Sequence, residues 1–145
     1  MAASVVVAPV RASWPVSLED LPTLFGFLDD QALPVEIGVR QGASTVAIRA
    51  ACVRCRQRDR CLHVEGPDSS LCIDLDRLAG ARAVSRLGEG SRSLSLELSC
   101  ADPREALTIT GPATGTGGGG EIWCLLLEAL APEGWHDRSR AERCA

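Results

Sequence analysis

Between Pro34 and Ile109 apolar side chains fall on alternate positions, and on either side of that stretch they fall three or four apart. The first spacing is that of half-buried strands and the second that of helices. Ser17 followed by Glu19 and Asp20 is an N-cap signal with acidic residues in the first turn. Leu18, Leu21, Leu24, Phe25 and Leu28 continue it as one helical stripe, with Pro22 early enough to be tolerated. Pro34 prevents its continuation. Val35, Ile37 and Val39 then alternate with polar residues up to a turn at Gln41-Gly42-Ala43-Ser44. Further alternating runs carry Val46 and Ile48, continued by Cys52 and Val53, then Leu62 and Val64, and then Leu71, Ile73 and Leu75. Ala81 and Ala83 follow, then Leu94, Leu96 and Leu98, then Leu107 and Ile109. The run Ser93 to Ser99 is the cleanest of these. After a Gly-rich connector, Ile122 to Leu130 reads as an apolar helix stopped by Pro132 and Gly134.

The pattern predicts an α+β fold: a meandering antiparallel β-sheet with N-terminal and C-terminal helices. Residues 17–134 are expected to form a single domain, with a flexible arm over 1–16 and a flexible tail over 135–145. A chain of 145 residues has room for one such core without metal or disulfide staples.

Composition narrows the chemistry. All 15 basic residues are Arg, and Tyr is absent. There is thus no lysine for a Schiff base or a phosphate loop, and no tyrosinate to act as acid or iron ligand. The formal net charge of −4 argues against general nucleic-acid binding, which needs a basic face. No apolar run reaches the ~20 residues of a membrane span, and the short run Ser4 to Ala8 has no basic flank to make it a signal. A soluble, cytoplasmic protein is expected. Its seven Cys are an odd number without an export signal, which predicts reduced thiols rather than a disulfide framework. Cys72, Cys100 and Cys124 sit among hydrophobes and are expected in the core.

One segment concentrates the remaining candidates. Five of the Arg fall between Arg49 and Arg60, beside Cys52, Cys55, Cys61 and His63. Three thiols and an imidazole are a donor set that can complete a tetrahedral zinc site. The spacing is regular only at Cys52-x2-Cys55, and a strand would turn those two to opposite faces. The bland alternative is an exposed Arg-rich hairpin with incidental Cys. His63 lies out of phase with Leu62 and Val64, so it faces away from the core. The run Gly115 to Gly120 precedes a helix as a phosphate loop does, but lacks the Lys-Ser/Thr ending and reads as a connector.

Residues 35–130 run in the order Val35-Glu36-Ile37-Gly38-Val39-Arg40-Gln41-Gly42, then Leu62 to Asp68, then Leu71 to Ala79. Ala83-Val84-Ser85-Arg86, Ser93-Leu94-Ser95-Leu96-Glu97-Leu98, Ala106 to Gly111 and the Trp123 helix complete the series. In this order of segments the chain resembles the haem-utilisation proteins of the HemS/ChuX type. The resemblance covers about two-thirds of the chain, which has the length of a single-repeat member. It implies a cytoplasmic protein that binds haem or a related tetrapyrrole for utilisation, storage or hand-over, as a homodimer. A sheet His would ligate iron and Arg side chains would pair with the propionates. The family places a His where this chain has Asp74, and Thr45-Val46-Ala47-Ile48 also lacks one. His63 therefore takes the role of iron ligand, with Cys52, Cys55 and Cys61 as thiolate alternatives. Arg54, Arg56, Arg58 and Arg60 become the propionate partners, and zinc stands behind haem as cofactor. Haem degradation follows from the resemblance alone, since no acid–base pair for turnover is evident. The alternative from a different class is a small acidic interaction or chaperone-like protein with no cofactor.

Overall fold

The structure, a computed structural model, describes residues 10–50, 54–66, 69–88, 90–115 and 118–135, with the backbone alone at 48–50 and 54–55. The element order is β1 (Val10–Val16), α1 (Leu21–Gln31), β2 (Val35–Gln41), β3 (Ser44–Ala50), β4 (Arg54–Arg58), β5 (Cys61–Glu65) and β6 (Ser70–Asp74). β7 (Leu78–Leu87), β8 (Arg92–Cys100), β9 (Glu105–Thr110) and α2 (Gly120–Ala129) follow. This is the expected α+β class, but the strands form two sheets. Six join in the order β1-β7-β8-β9-β2-β3, and β4-β5-β6 form a separate antiparallel sheet. The division after β6 falls where Asp74 caps a 3-10 turn, Leu75–Arg77, by accepting from the Asp76 amide at 3.0 Å.

Part of the stretch expected to be a flexible arm is the edge strand β1, paired antiparallel with β7. Trp14 and Val16 hold it there because both are buried in the core. Ser17 accepts from the Glu19 amide, as the cap signal predicts, and a short 3-10 turn leads into α1. Leu21, Leu24, Phe25 and Leu28 form the buried stripe of α1.

One face of the six-stranded sheet is apolar. Registers align Ala83 with Leu96 and Leu96 with Ile109, and Ile109 with Ile37. This row is buried together with α1, α2 and the apolar side of the small sheet, in one core. Two tryptophans fasten α2 across it. Trp123 Nε1 donates to the Leu94 carbonyl at 2.8 Å, and Trp14 Nε1 donates to the Leu127 carbonyl at 2.9 Å. Each bond satisfies a buried indole that would otherwise be costly.

The glycine run before α2 is more than a connector. Gly119 adopts φ 90° and its missing side chain leaves room for Leu33, while a Cβ on Gly120 would run into the Ala113 carbonyl. Gly111 lies flat against the Trp123 ring, with no space for a methyl group. Gly111→Ala should therefore destabilise the fold by about 1–3 kcal/mol through overpacking. Urea unfolding followed by tryptophan fluorescence will show this as a lowered midpoint with an unchanged slope.

Candidate functional site

The candidate residues meet on the small sheet, where the pleat sorts them. Leu62, Val64 and Ile73 are buried, so their neighbours Cys61, His63 and Cys72 must face outward. The register sets Cys61 opposite Asp74, His63 opposite Cys72 and Glu65 opposite Ser70. On the other side of β5, Arg56 pairs with His63 and Arg58 with Cys61. The outer face is thus a flat patch carrying the one imidazole and two guanidiniums of the described residues of this sheet, with both signs of charge at its rim. Arg56 and Arg58 make no ion pair among the described residues. They stand about 7 Å apart along β4.

Other candidates are placed differently. Arg60 lies in the turn after β4 and bonds Asp76 through Nε at 3.0 Å, with both side chains about two-thirds exposed. An exposed pair of this kind contributes little stability. Arg54 occupies the register position opposite Glu65, and Cys55 the position opposite Val64. Cys52 falls outside the described residues.

The thiols depart from expectation in both pairing and burial. Cys61 and Cys72 form a disulfide across β5 and β6, with a Cα separation of 6.4 Å. They are diagonal neighbours on the same face, a relation set by strand register and invisible in the spacing of Cys along the chain. Cys72 is exposed, not in the core, because it is out of phase with Ile73. In this oxidised state Cys61 cannot join Cys52, Cys55 and His63 around zinc. The grouping that the structure brings together is instead Cys61, His63 and Cys72, whose ligand atoms all lie within 4.8 Å of one another. Cys124 is buried as expected, and Cys100 is half-buried. Burial raises the thiol pKa of both, more than the nearby charges do, so both remain protonated and inert at neutral pH.

A concave feature lies on the outer face of the large sheet. It is an open trough of about 570 Å³ whose lining includes Ser13, Pro15, Arg40, Ser99, Ala106 and Thr108. The Arg82–Glu97 pair, at 2.9 Å, stands at its side. No His, Cys, Met or Tyr lines it, so it offers cations and an even floor but no soft metal ligand. Sequence reasoning missed it because Arg40 and Arg82 are far apart in the chain and meet only through the β2-β9-β8-β7 order.

This two-sheet arrangement recurs in solved structures. The chain matches apo-PhuS, a haem-binding protein from Pseudomonas aeruginosa, with a TM-score of 0.69 and 19% identity, over 83% of this chain and 35% of that one. It matches ChuS, a haem-degrading enzyme of Escherichia coli O157:H7, with a TM-score of 0.71 and 16% identity, over 83% and 36%. It matches the haem-binding protein ChuX with a TM-score of 0.55 and 13% identity, over 68% and 62%. The chain therefore spans about a third of PhuS and ChuS and less than two-thirds of ChuX. No protein-family model and no curated protein sequence matches it. What is shared at these identities is architecture: the protein has the fold of the HemS/ChuX type.

The disulfide has a direct check. Cleavage after Arg60 and Arg77 yields one peptide containing both Cys61 and Cys72. Without reductant this peptide should resist alkylation and weigh two hydrogen masses less than its reduced form. Full alkylation of both Cys in protein purified without reductant, under oxygen, would show that the bridge does not form.

Proposed function

We propose that the protein binds haem. The observation that carries this reading is the fold itself, shared over 83% of the chain with a haem-binding protein and with a haem-degrading enzyme. The outer face of the small sheet has a donor set that fits the group. An exposed imidazole suits iron, and guanidinium forks suit propionate oxygens. His63 would hold the metal, with Arg56 and Arg58 across the ladder as propionate partners and Arg54 and Arg60 at the ends of the same strip. Haem, when bound, supplies the redox and oxygen chemistry, and the chain supplies position and charge.

The face gives little apolar wall, since the groups around His63 are Arg56, Glu65 and Cys72. A porphyrin there keeps one side uncovered in the single chain. That favours storage or hand-over above turnover, and it favours a homodimer in which a second copy supplies the missing wall. Cytoplasmic placement is part of the same reading and comes from the resemblance; the described residues contain no helix long and apolar enough to cross a membrane.

Haemin titrated into the purified protein should produce a shifted Soret band that saturates near one equivalent. His63→Ala should weaken it by about tenfold or more, which is ~1.4 kcal/mol or more. Arg56→Ala with Arg58→Ala should weaken it several-fold and make it less sensitive to salt. Arg104→Ala, in the turn before β9 where it pairs with Asp102, should behave as wild type. A flat titration across micromolar haemin would sink the proposal. Co-purification of a polypeptide in its place would support the cofactor-free interaction protein.

A further inference from the structure

Cys61, His63 and Cys72 need not act only as a staple beside an iron ligand. The register makes His63 the direct cross-strand neighbour of Cys72 and places Cys61 one pleat along on the same face. Both sulfurs and a ring nitrogen lie within 4.8 Å of one another. Two sulfurs bound to one metal sit about 3.8 Å apart, given a metal–sulfur bond near 2.3 Å. Opening the disulfide therefore needs only small rotations about the Cys side chains for all three donors to meet one ion.

We propose that this triad is a reduction-gated site for a soft monovalent cation, Cu⁺. Three donors lie on an exposed sheet face, and among the described residues no fourth His or Cys joins them. Structural zinc sites are almost always closed by four ligands. Two thiolates and one imidazole instead suit a soft d¹⁰ ion content with three. Charge does not decide between ions. Two thiolates with Cu⁺ leave a net −1, set among Arg56 and Arg58 on the β4 side and Asp74 and Glu65 on the other edges, and these four side chains cancel. The choice of ion rests on the softness and number of the donors.

The chemistry balances in two steps. A dithiol reductant gives two electrons and two protons to the Cys61–Cys72 bond and leaves as its own disulfide, so that the S–S bond breaks and two thiols form. Cu⁺ then displaces both thiol protons to solvent and accepts His63 as third ligand. In the oxidised form the sulfurs are bonded to each other and the site does not exist. This inference goes beyond the haem reading and does not rest on it, although both use His63.

The test uses the full chain, reduced with a dithiol, freed of it without oxygen, and titrated against Cu⁺ held by the coloured chelator bicinchoninate. Wild type should withdraw one equivalent of Cu⁺ more than the Cys61→Ser, Cys72→Ser double variant, whose substituted side chains lie on the outer face and whose fold is checked by circular dichroism. Wild type with the disulfide intact should match the double variant. His63→Ala should keep the stoichiometry and lose about tenfold or more in competitive affinity. Equal uptake by reduced wild type and the double variant would overturn the proposal, as would preferential uptake of Zn²⁺ when both ions are offered. Cys72→Ser alone gives a second check: it should lose the extra equivalent, and retaining it would overturn the triad. No haemin is present, so failure here leaves the Soret titration untouched. Haemin binding by the double variant, which keeps His63, tests the haem reading separately.

Discussion

Burial of Leu62, Val64 and Ile73 decides where this protein can do chemistry. These three side chains are almost fully buried in the common core. Burying each stabilises the fold by about 1.5–3 kcal/mol. A one-residue slip in β5 or β6 would forfeit that and would send Cys61, His63 and Cys72 inward. The placement of an imidazole and two sulfurs on an open face is thus enforced by their neighbours. The same pleat brings Arg56 and Arg58 level with them, because the β4–β5 pairing runs without a bulge from Arg54 to Arg58.

The large sheet supplies the surface on which that burial is possible. Its apolar face is finished by α2, and α2 is held by two bonds, one from Trp14 on the β1 edge and one from its own Trp123 to the inner strand β8. Arg92 adds a third connection: it bonds Ser85 at 2.9 Å and pairs with Glu128 on α2, and its amide donates to the Thr114 hydroxyl at 2.8 Å. Ser85 is nearly inaccessible, so this polar cluster is satisfied internally. The consequence is a division of labour. One side of the molecule is fixed by aromatic and polar ties around α2, and the other carries an exposed, chemically varied strip.

Most of the secondary structure was legible because burial has a period. Leu94, Leu96 and Leu98 read as a strand with one dry face, and they are that strand. The Ser17 cap, which closes the 3-10 turn ahead of α1 rather than α1 itself, and the Pro and Gly stops of the last helix were legible for equally local reasons. His63 could be assigned to the outer face before any coordinates, from its phase against Leu62 and Val64. What the sequence could not show is pairing between distant segments. The division into two sheets, the recruitment of β1 to the β7 edge, and the meeting of Cys61 with Cys72 all depend on register and strand order. An odd number of Cys argues for reduction in bulk, yet a single diagonal pair escapes that argument because proximity, not composition, makes a disulfide.

The conflict between a bridged Cys61 and a ligating Cys61 is resolved by the same geometry. A diagonal pair on a sheet face is close enough to bond and, once reduced, far enough apart to embrace an ion. His63 belongs to neither state exclusively, because its own strand position is fixed by the buried residues on both sides of it. An imidazole held rigidly by the ladder, beside sulfurs whose separation depends on redox state, is a fixed donor next to a variable pair. Any ligand that His63 accepts is therefore exposed to that variation. A planar macrocycle extending over the strip would cover the disulfide and limit its reduction, whereas an ion held by all three residues would require the bridge to be open. On these two proposals the occupants would exclude each other by geometry, and only the ion would require the pair of sulfurs to be reduced.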